Sequence, residues 1–434
     1  MSQTVFVRRE MLPPKPPPPT SVGVIGWMRE NLFNGWFNSI LTLVALYVIW
    51  WLLSHFLPWA LHSSWSAHSL DECRAAIKEA YGPDASGACW AVIRERYLQL
   101  LYGFYPSELY WRPNLAFVLM LVALAPVLFT SLPRGMLWFS AVFPFIGYWL
   151  LWGGPFWEPF SWVLGFVVGG VLLAVLTPRF GRIIGVGAAI LGAVGWWFYA
   201  AGPVAEALQS VLPFALERVE SRQFGGFMLS ITIGIVGIVA SLPLGILLAL
   251  GRVSNLMILK ALSVGFIEFI RGVPLITLLF VASTLLNIFM PPGTDFDIIL
   301  RVVIMVTLFS AAYIAEVVRG GLAALPKGQY EAAAALGLDY WLSMRLIILP
   351  QALKISIPGI VSTFIGLFKD TTLVSIIGLL DPIGFSNAIR ANAEWQGIVW
   401  ELYAFIALMF WIFCFSMSRY SMYLERKLET GHRR

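Results

Sequence analysis

Charge is scarce in this chain. Asp, Glu, Lys and Arg make up only 12% of its 434 residues, whereas a water-facing globular domain carries about 25%. So little charge cannot cover a soluble surface of this size. Histidine numbers four and cysteine three, with no Cys-x-x-Cys pair and no Cys/His cluster, so no metal site is expected. His55, His62 and His68 fall around one segment, but no HExxH or acidic partner accompanies them. No convergent Ser/His/Asp set can be assembled, so a membrane hydrolase is disfavoured and no catalytic residue is named. A GxxxxGK[ST] phosphate loop is absent too, so no cofactor is expected on this chain. The first thirty residues hold PPKPPPP and no apolar signal core. They read as a disordered cytoplasmic leader over 1–35, with a Pro-motif ligand as the other reading. The net charge of +5 is a matter of where basic residues fall, and no nucleic-acid partner is expected.

Apolar residues, by contrast, make up 59% of the chain and aromatic ones 15%. The apolar runs are near twenty residues long, which fits membrane-crossing helices and not the alternating ten-residue segments of a barrel. The fold class is therefore an all-α integral membrane protein of about ten transmembrane helices. The segments run 36–60, 115–131, 136–153, 159–176, 183–201, 224–250, 264–289, 298–318, 356–379 and 400–422. Segment 264–289 is too long and holds Glu268 and Arg271, so its first turns are expected along the interface or inside the bundle. Placing both ends of the chain and the loops near 134, 179–182, 252–260 and 319–354 on one side gathers 18 Lys/Arg there against 9 opposite. The positive-inside rule makes that side the cytoplasm, with both termini in it.

Residues 62–113 then form a long external loop. Cys73 and Cys89 lie in it, and two readings stay open: a disulfide in an oxidising compartment, or two separate thiols. Cys414 reads as a small packing residue. The chain changes character near residue 224. Residues 36–223 are Trp- and Phe-rich, with almost no polar residue within a span, as in a lipid-embedded scaffold. Residues 224–424 carry Pro243, Pro274, Glu268, Arg271, Glu316, Lys369 and Asp370. Ionisable groups in a membrane are costly and face a bundle interior or aqueous path, so function is expected in this second part. A basic tail, 425–434, follows. No inverted repeat of the kind that secondary transporters use is visible.

One polar island interrupts the second part: EAAAALGLDYWLSMRLIILP, residues 331–350. Glu331 suits the start of a short helix, and the alanines after it leave a narrow rod able to lie in a partner's groove. Gly337 allows a turn, and a second helix is expected from Asp339 that ends at Pro350. An interfacial amphipathic helix is the blander reading, but it would want bulky residues on one face.

This island resembles the EAA loop of the membrane subunits of bacterial ABC importers, in Glu331, Ala332, Ala333, Gly337, Ile347, Leu349 and Pro350. Its surroundings, FIEFIRGVPLI, AAYIAEVVRGGLAALPKGQYEAAAALGL and FKDTTLVSIIGL, look like permeases of the histidine/glutamine/arginine/opine group. The resemblance covers about 224–424. The extra spans and the segment with CRAA and GACW look like the long permeases of general L-amino acid systems. This likeness implies that the last five spans form a type I importer core in the bacterial inner membrane. It implies a cytosolic ATPase dimer docked on Glu331–Leu338, and a second homologous permease completing a heterodimer. A periplasmic amino-acid-binding protein would meet loops such as 381–399, and an L-amino acid would be the cargo. An ion-gradient-driven transporter or channel is the alternative, in which the island would have no purpose.

The charged residues within spans give candidates for the substrate path. Glu268 and Arg271, three apart on a helix, form either a structural ion pair or a substrate contact. Glu316 and Arg319 share that spacing near the cytoplasmic end, as a clamp or gate. Lys369, Asp370 and Thr371, with Thr372, make the most polar patch in any span. Opposite charges there would suit an amino acid's ammonium and carboxylate.

Overall fold

The computed structural model describes residues 23–289 and 297–428. The Pro-rich run and the last six residues lie outside that range. Among the described residues, nine helical stretches are long and apolar enough to cross a membrane, and a bent pair makes ten when counted as one span. The chain forms two compact units, residues 1–91 and 92–434.

The first unit holds α1 (Gly23–Asn31), α2 (Trp36–Leu61) and α3 (Leu70–Tyr81). Helix α1 falls within the stretch expected to be a disordered leader, so that expectation fails for 23–31. None of the α2 residues is buried, and a helix apolar all round is what lipid solvates. The supposed long external loop is largely helical. Ser69 caps α3 by accepting the Glu72 N–H at 3.2 Å, with Asp71 and Glu72 in its first turn and Lys78 in its last, each at the favourable end of the helix dipole. A disulfide joins Cys73 to Cys89 across a Cα separation of 6.0 Å. It ties α3 to the strand-like return that follows, where the Ala88 N–H donates to the Trp59 carbonyl at 2.8 Å.

The second unit opens with α4 (Ala91–Tyr102), then the spans α5 (Trp111–Leu128), α6 (Leu137–Trp152) and α7 (Trp157–Phe180). Helix α8 (Arg182–Gly195) continues through a π turn, Trp196–Ala200, into α9 (Ala201–Val211). This crossing thus runs about three turns beyond its expected end at 201. Small residues let α7 and α8 touch: a Cβ on Gly169 would sit 3.1 Å from the Ala189 carbonyl, and one on Gly192 would strike Leu172. Close approach of this kind supplies the van der Waals contact that holds helices together in lipid. Indole N–H groups add cross-links, Trp196 to the Ser161 carbonyl at 2.9 Å and Trp197 to Trp162 at 3.0 Å. A two-stranded ribbon, β1 (Gly154–Pro155) against β2 (Ala215–Leu216), closes the α6–α9 excursion.

After it come α10 (Gly226–Val253), α11 (Met257–Gly272), α12 (Leu275–Phe289), α13 (Ile298–Ala324), α14 (Lys327–Ala335), α15 (Tyr340–Ser343), α16 (Leu349–Asp370), α17 (Pro382–Ala391) and α18 (Trp400–Leu428). Helices α10, α13 and α16 make the core. Leu229, Ile233, Val302, Val306 and Leu367 pack toward one end; Ala249, Ile314, Ala315, Val318 and Ala352 pack toward the other. The long 264–289 segment is two helices meeting at 105°. Pro274 cannot donate a helical N–H, and it holds Val273 extended at φ −111°, ψ 131°.

Contacts sort the ends of the crossings into two sets. At one end, Val219 donates to the Trp152 carbonyl at 2.9 Å, Gly226 donates to Leu380 at 2.9 Å, and Arg96 pairs with Glu394 at 2.8 Å. At the other, Lys427 of α18 donates to Thr130, just past α5, at 3.3 Å. Arg252 meets Glu268 and Glu316 there in the α10–α13 bundle.

Candidate functional site

The island at 331–350 is a hook. Helix α14 carries EAAAA and ends in a Schellman arrangement: Leu338 N–H donates to Ala333 O at 3.2 Å and Gly337 N–H to Ala334 O at 2.9 Å. Gly337 sits at φ +70°, in the left-handed region that glycine enters without penalty. Asp339 then caps the next helix by accepting the Leu342 N–H at 2.7 Å. Ala333 is the buried foot of α14. Glu331, Ala332, Leu336 and Trp341 face outward, Leu336 with 73% and Trp341 with 61% of their surface exposed. An exposed leucine and tryptophan beside an alanine rod form an exposed apolar patch. Gln351 binds the hook to the bundle by donating to the Gln329 side chain at 3.0 Å.

The second helix of the hook does not stop at Pro350. It passes through a π turn, Met344–Ile348, in which the Leu349 N–H reaches back to the Met344 carbonyl, and runs on as α16 to Asp370. The extra residue of the π turn falls just where the proline lacks its own N–H, so the helix survives. The hook is therefore continuous with a spanning helix, and Pro350 lies at the start of α16. Ile347 and Leu349 are half-buried at this junction.

Glu268 and Arg271 do not pair with each other. Glu268 binds Arg252 of α10 at 2.7 Å, and the same guanidinium reaches Glu316 of α13 at 2.9 Å. Glu316 also receives Arg319 at 3.1 Å and Arg271 at 3.8 Å. Arg271 lies over the Tyr313 ring at 5.5 Å, a favourable cation–π distance. The i, i+3 spacing made a Glu268–Arg271 pair geometrically available, but α11 turns Glu268 toward α10 and Arg271 toward α13. The outcome is one network stitching α10, α11 and α13 together, centred on Glu316. Beside it opens a cavity of about 630 Å³ lined by Arg252, Lys260, Arg319, Tyr330 and Tyr340.

Lys369, Asp370 and Thr371 lie elsewhere. Lys369 is exposed and Asp370 half-buried at the end of α16, and among the described residues neither is in an ion pair. Thr371 is fully buried and donates to the Phe368 carbonyl at 2.8 Å, near Gly234 of α10. Gly234 and Arg252 are eighteen residues apart on α10, about 27 Å along the axis. The five candidate path residues thus form two separate groups.

Two groups escaped the sequence reading. Arg252, counted there only as a loop charge, is a hub of the network. Asp381 is fully buried and caps α17 by accepting N–H bonds from Ile383 at 3.1 Å and Gly384 at 3.0 Å. Burial raises its pKa to about 6, against the opposing pull of those backbone donors. The Asp-Pro pair opening a helix was its available signal.

Fold and site together define a multi-spanning helical membrane protein that presents a soluble hook continuous with a core helix. The sequence pattern described as "Binding-protein-dependent transport system inner membrane component" matches residues 241–430. The chain is 61% identical over 434 residues to the glutamate/glutamine/aspartate/asparagine transport system permease protein BztC of Rhodobacter capsulatus, covering all of both chains. It is 44% identical to the inner membrane amino-acid ABC transporter permease protein YhdY of Escherichia coli K12, over 96% of this chain and 97% of that one. A solved structure titled as an amino acid ABC transporter with histidines aligns at 28% identity and TM-score 0.41, over 46% of this chain and 90% of that one. The chain belongs to the family of amino-acid ABC transporter permeases.

Proposed function

We propose that this permease is driven by a separate cytosolic ATPase dimer gripping α14, and that it imports L-amino acids across a bacterial inner membrane. The observation that carries the reading is the hook. Leu336 and Trp341 stand exposed beside Glu331–Ala333, and the hook's second helix, which bears Trp341, continues into α16 without a break. A pull on the hook is thereby a displacement of a core span, which is how an outside motor can act on a pore lacking its own phosphate loop. Binding-protein delivery, a second permease in a heterodimer and termini on the cytoplasmic side belong to the same reading. The sorting of span ends into two sets supports the sidedness, and so does the excess of basic residues at the hook's end. BztC is named for glutamate, glutamine, aspartate and asparagine, and we assign this chain cargo of that class. Lys369 and Asp370 are its proposed contacts, whereas Thr371, fully buried and bonded to the Phe368 carbonyl, does not face the path.

Two variants test this. Gly337→Asp puts a charge and a Cβ at φ +70°, straining the turn by about 1 kcal/mol and altering the docking face. The chain should still insert, while its copurification with the ATPase falls at least about tenfold. Normal copurification and uptake would refute the docking role. Asp370→Asn should raise the concentration of L-glutamate or L-glutamine needed for half-maximal uptake at least about fivefold, with stimulated ATPase activity retained; unaltered affinity and selectivity would remove Asp370 from the path.

A further inference from the structure

A cavity of about 1350 Å³ separates α5 and α6 from α10 and α13. Small-molecule pockets are commonly about 300–1,000 Å³, so this one is oversized for an amino acid. Its shape carries more information than its size. Met120, Phe143, Ile235 and Met409 line it, and each lies nine residues from the same end of its own helix, counted from Trp111, Trp152, Gly226 and Trp400. Nine helical residues span about 14 Å, close to half of the roughly 30 Å hydrocarbon core. Most of the cavity therefore lies within about one leaflet, only Phe413 of α18 reaching deeper, and its wall over that depth is mainly apolar, with Asn114 and Thr232 as polar exceptions.

Charge is confined to its mouth, where Arg218, Glu220, Arg222, Asp297 and Arg301 gather. The acids there are already engaged. Asp297 accepts from the Ser221 hydroxyl and from the Leu300 N–H at 3.0 Å, as the cap of α13. Glu220 takes part in a capping box with Gln223. Arg218 and Arg222 are exposed and, among the described residues, neither is ion-paired with a carboxylate. Two guanidiniums that no carboxylate neutralises, Arg218 also touching the Tyr148 hydroxyl, over a mainly apolar slot about one leaflet deep, are complementary to a phosphate on two acyl chains.

We propose that this cavity holds one anionic phospholipid, its acyl chains between α5, α6 and α10 and its phosphate on Arg218 and Arg222. The lipid fills the seam between the N-terminal spans and the core, and the assignment is independent of the identity of the cargo.

The test uses the full chain in its assembled transporter, washed extensively in detergent and analysed by native mass spectrometry, then titrated with dioleoylphosphatidylglycerol. Wild type should retain about one phosphatidylglycerol per chain, with dioleoylphosphatidylcholine rebinding at least tenfold more weakly. Arg218→Glu with Arg222→Glu should cut retention at least tenfold, and Ile235→Trp, which fills the apolar end and leaves the arginines intact, should do the same. Thermal unfolding of each variant checks that it is folded. The proposal is overturned if washed wild type neither retains nor rebinds phosphatidylglycerol, or if folded double-Glu protein retains as much as wild type. Displacement of the lipid by L-glutamate or by inorganic phosphate would also overturn it, assigning the cavity to cargo or to a free anion.

Discussion

The spans α5–α9 and the spans α10–α16 are built by different rules. Between α7 and α8, glycines let backbones touch, and indoles donate to carbonyls one helix away. Only 17% of the most apolar window of α7 is buried, against 56% for α13. The N-terminal spans thus meet lipid over most of their surface and hold a single arrangement by steric fit. Helix α13 is enclosed, and it carries Glu316 among three arginines. Steric fit has one solution, whereas an ion network shared by three helices can be re-partitioned when one of them moves. The part with the costly groups is the part joined to the hook.

The widest gap between the two regions should come from Glu316→Gln. It removes the carboxylate that Arg252, Arg271 and Arg319 share, leaving cations facing one another. Breaking a buried network costs about 3–5 kcal/mol; with partners partly exposed, about 2 kcal/mol is expected. Uptake in proteoliposomes should fall more than about tenfold while the chain still assembles. Retained uptake would mean that the network is ornamental to transport.

A comparable insult to the other region should behave differently. Gly169→Leu forces a side chain against Ala189 and Ala193 and should cost about 1–3 kcal/mol by overpacking. The unfolding temperature should drop, but uptake per folded transporter should stay within about twofold of wild type. An uptake loss as deep as that of Glu316→Gln would erase the distinction between scaffold and moving part.

The smallest effect on transport is expected at Asp381, whose ionisation makes stability depend on pH. Its folded pKa of about 6 lies above the ordinary 3.8, so the folded state binds the proton more tightly than the unfolded state does. Its contribution to stability is therefore full below pH ~4 and is lost as pH rises through ~6, by on the order of 2–3 kcal/mol. Asp381→Asn should flatten that part of the stability–pH curve relative to wild type. Parallel curves for the two proteins would show that the pKa of Asp381 does not change on folding.

Much of this was legible without coordinates. The crossings follow from apolar run length, because a bilayer demands about twenty such residues whatever lies beside them. The hook's turn at Gly337 follows from local backbone sterics, and a basic end opposite a less basic one follows from composition. The Glu268–Arg271 expectation failed for the opposite reason. Spacing along one helix says which residues share a face, not which neighbouring helix that face meets. Arg252 lies fourteen residues before the nearest quoted motif, FIEFIRGVPLI, and becomes a hub because α11 folds back across α10. The site was divided in the same way: Lys369 and Glu268 both looked intramembrane, but depth along a bundle is set by packing.

Sequence alone determined that this chain crosses a membrane many times, that its second half bears the charges placed within spans, and that residues 331–335 belong to a short helix ahead of a turn at Gly337. Those properties depend on short-range sterics and on transfer from water to lipid, and both can be read residue by residue. Tertiary structure decided that the hook's second limb is one helix with α16, that Glu316 gathers three arginines, and that a mainly apolar cavity lies between the two sets of spans. Each depends on how distant segments approach one another, because charge pairing and cavity shape vary over a few ångströms that no local pattern encodes.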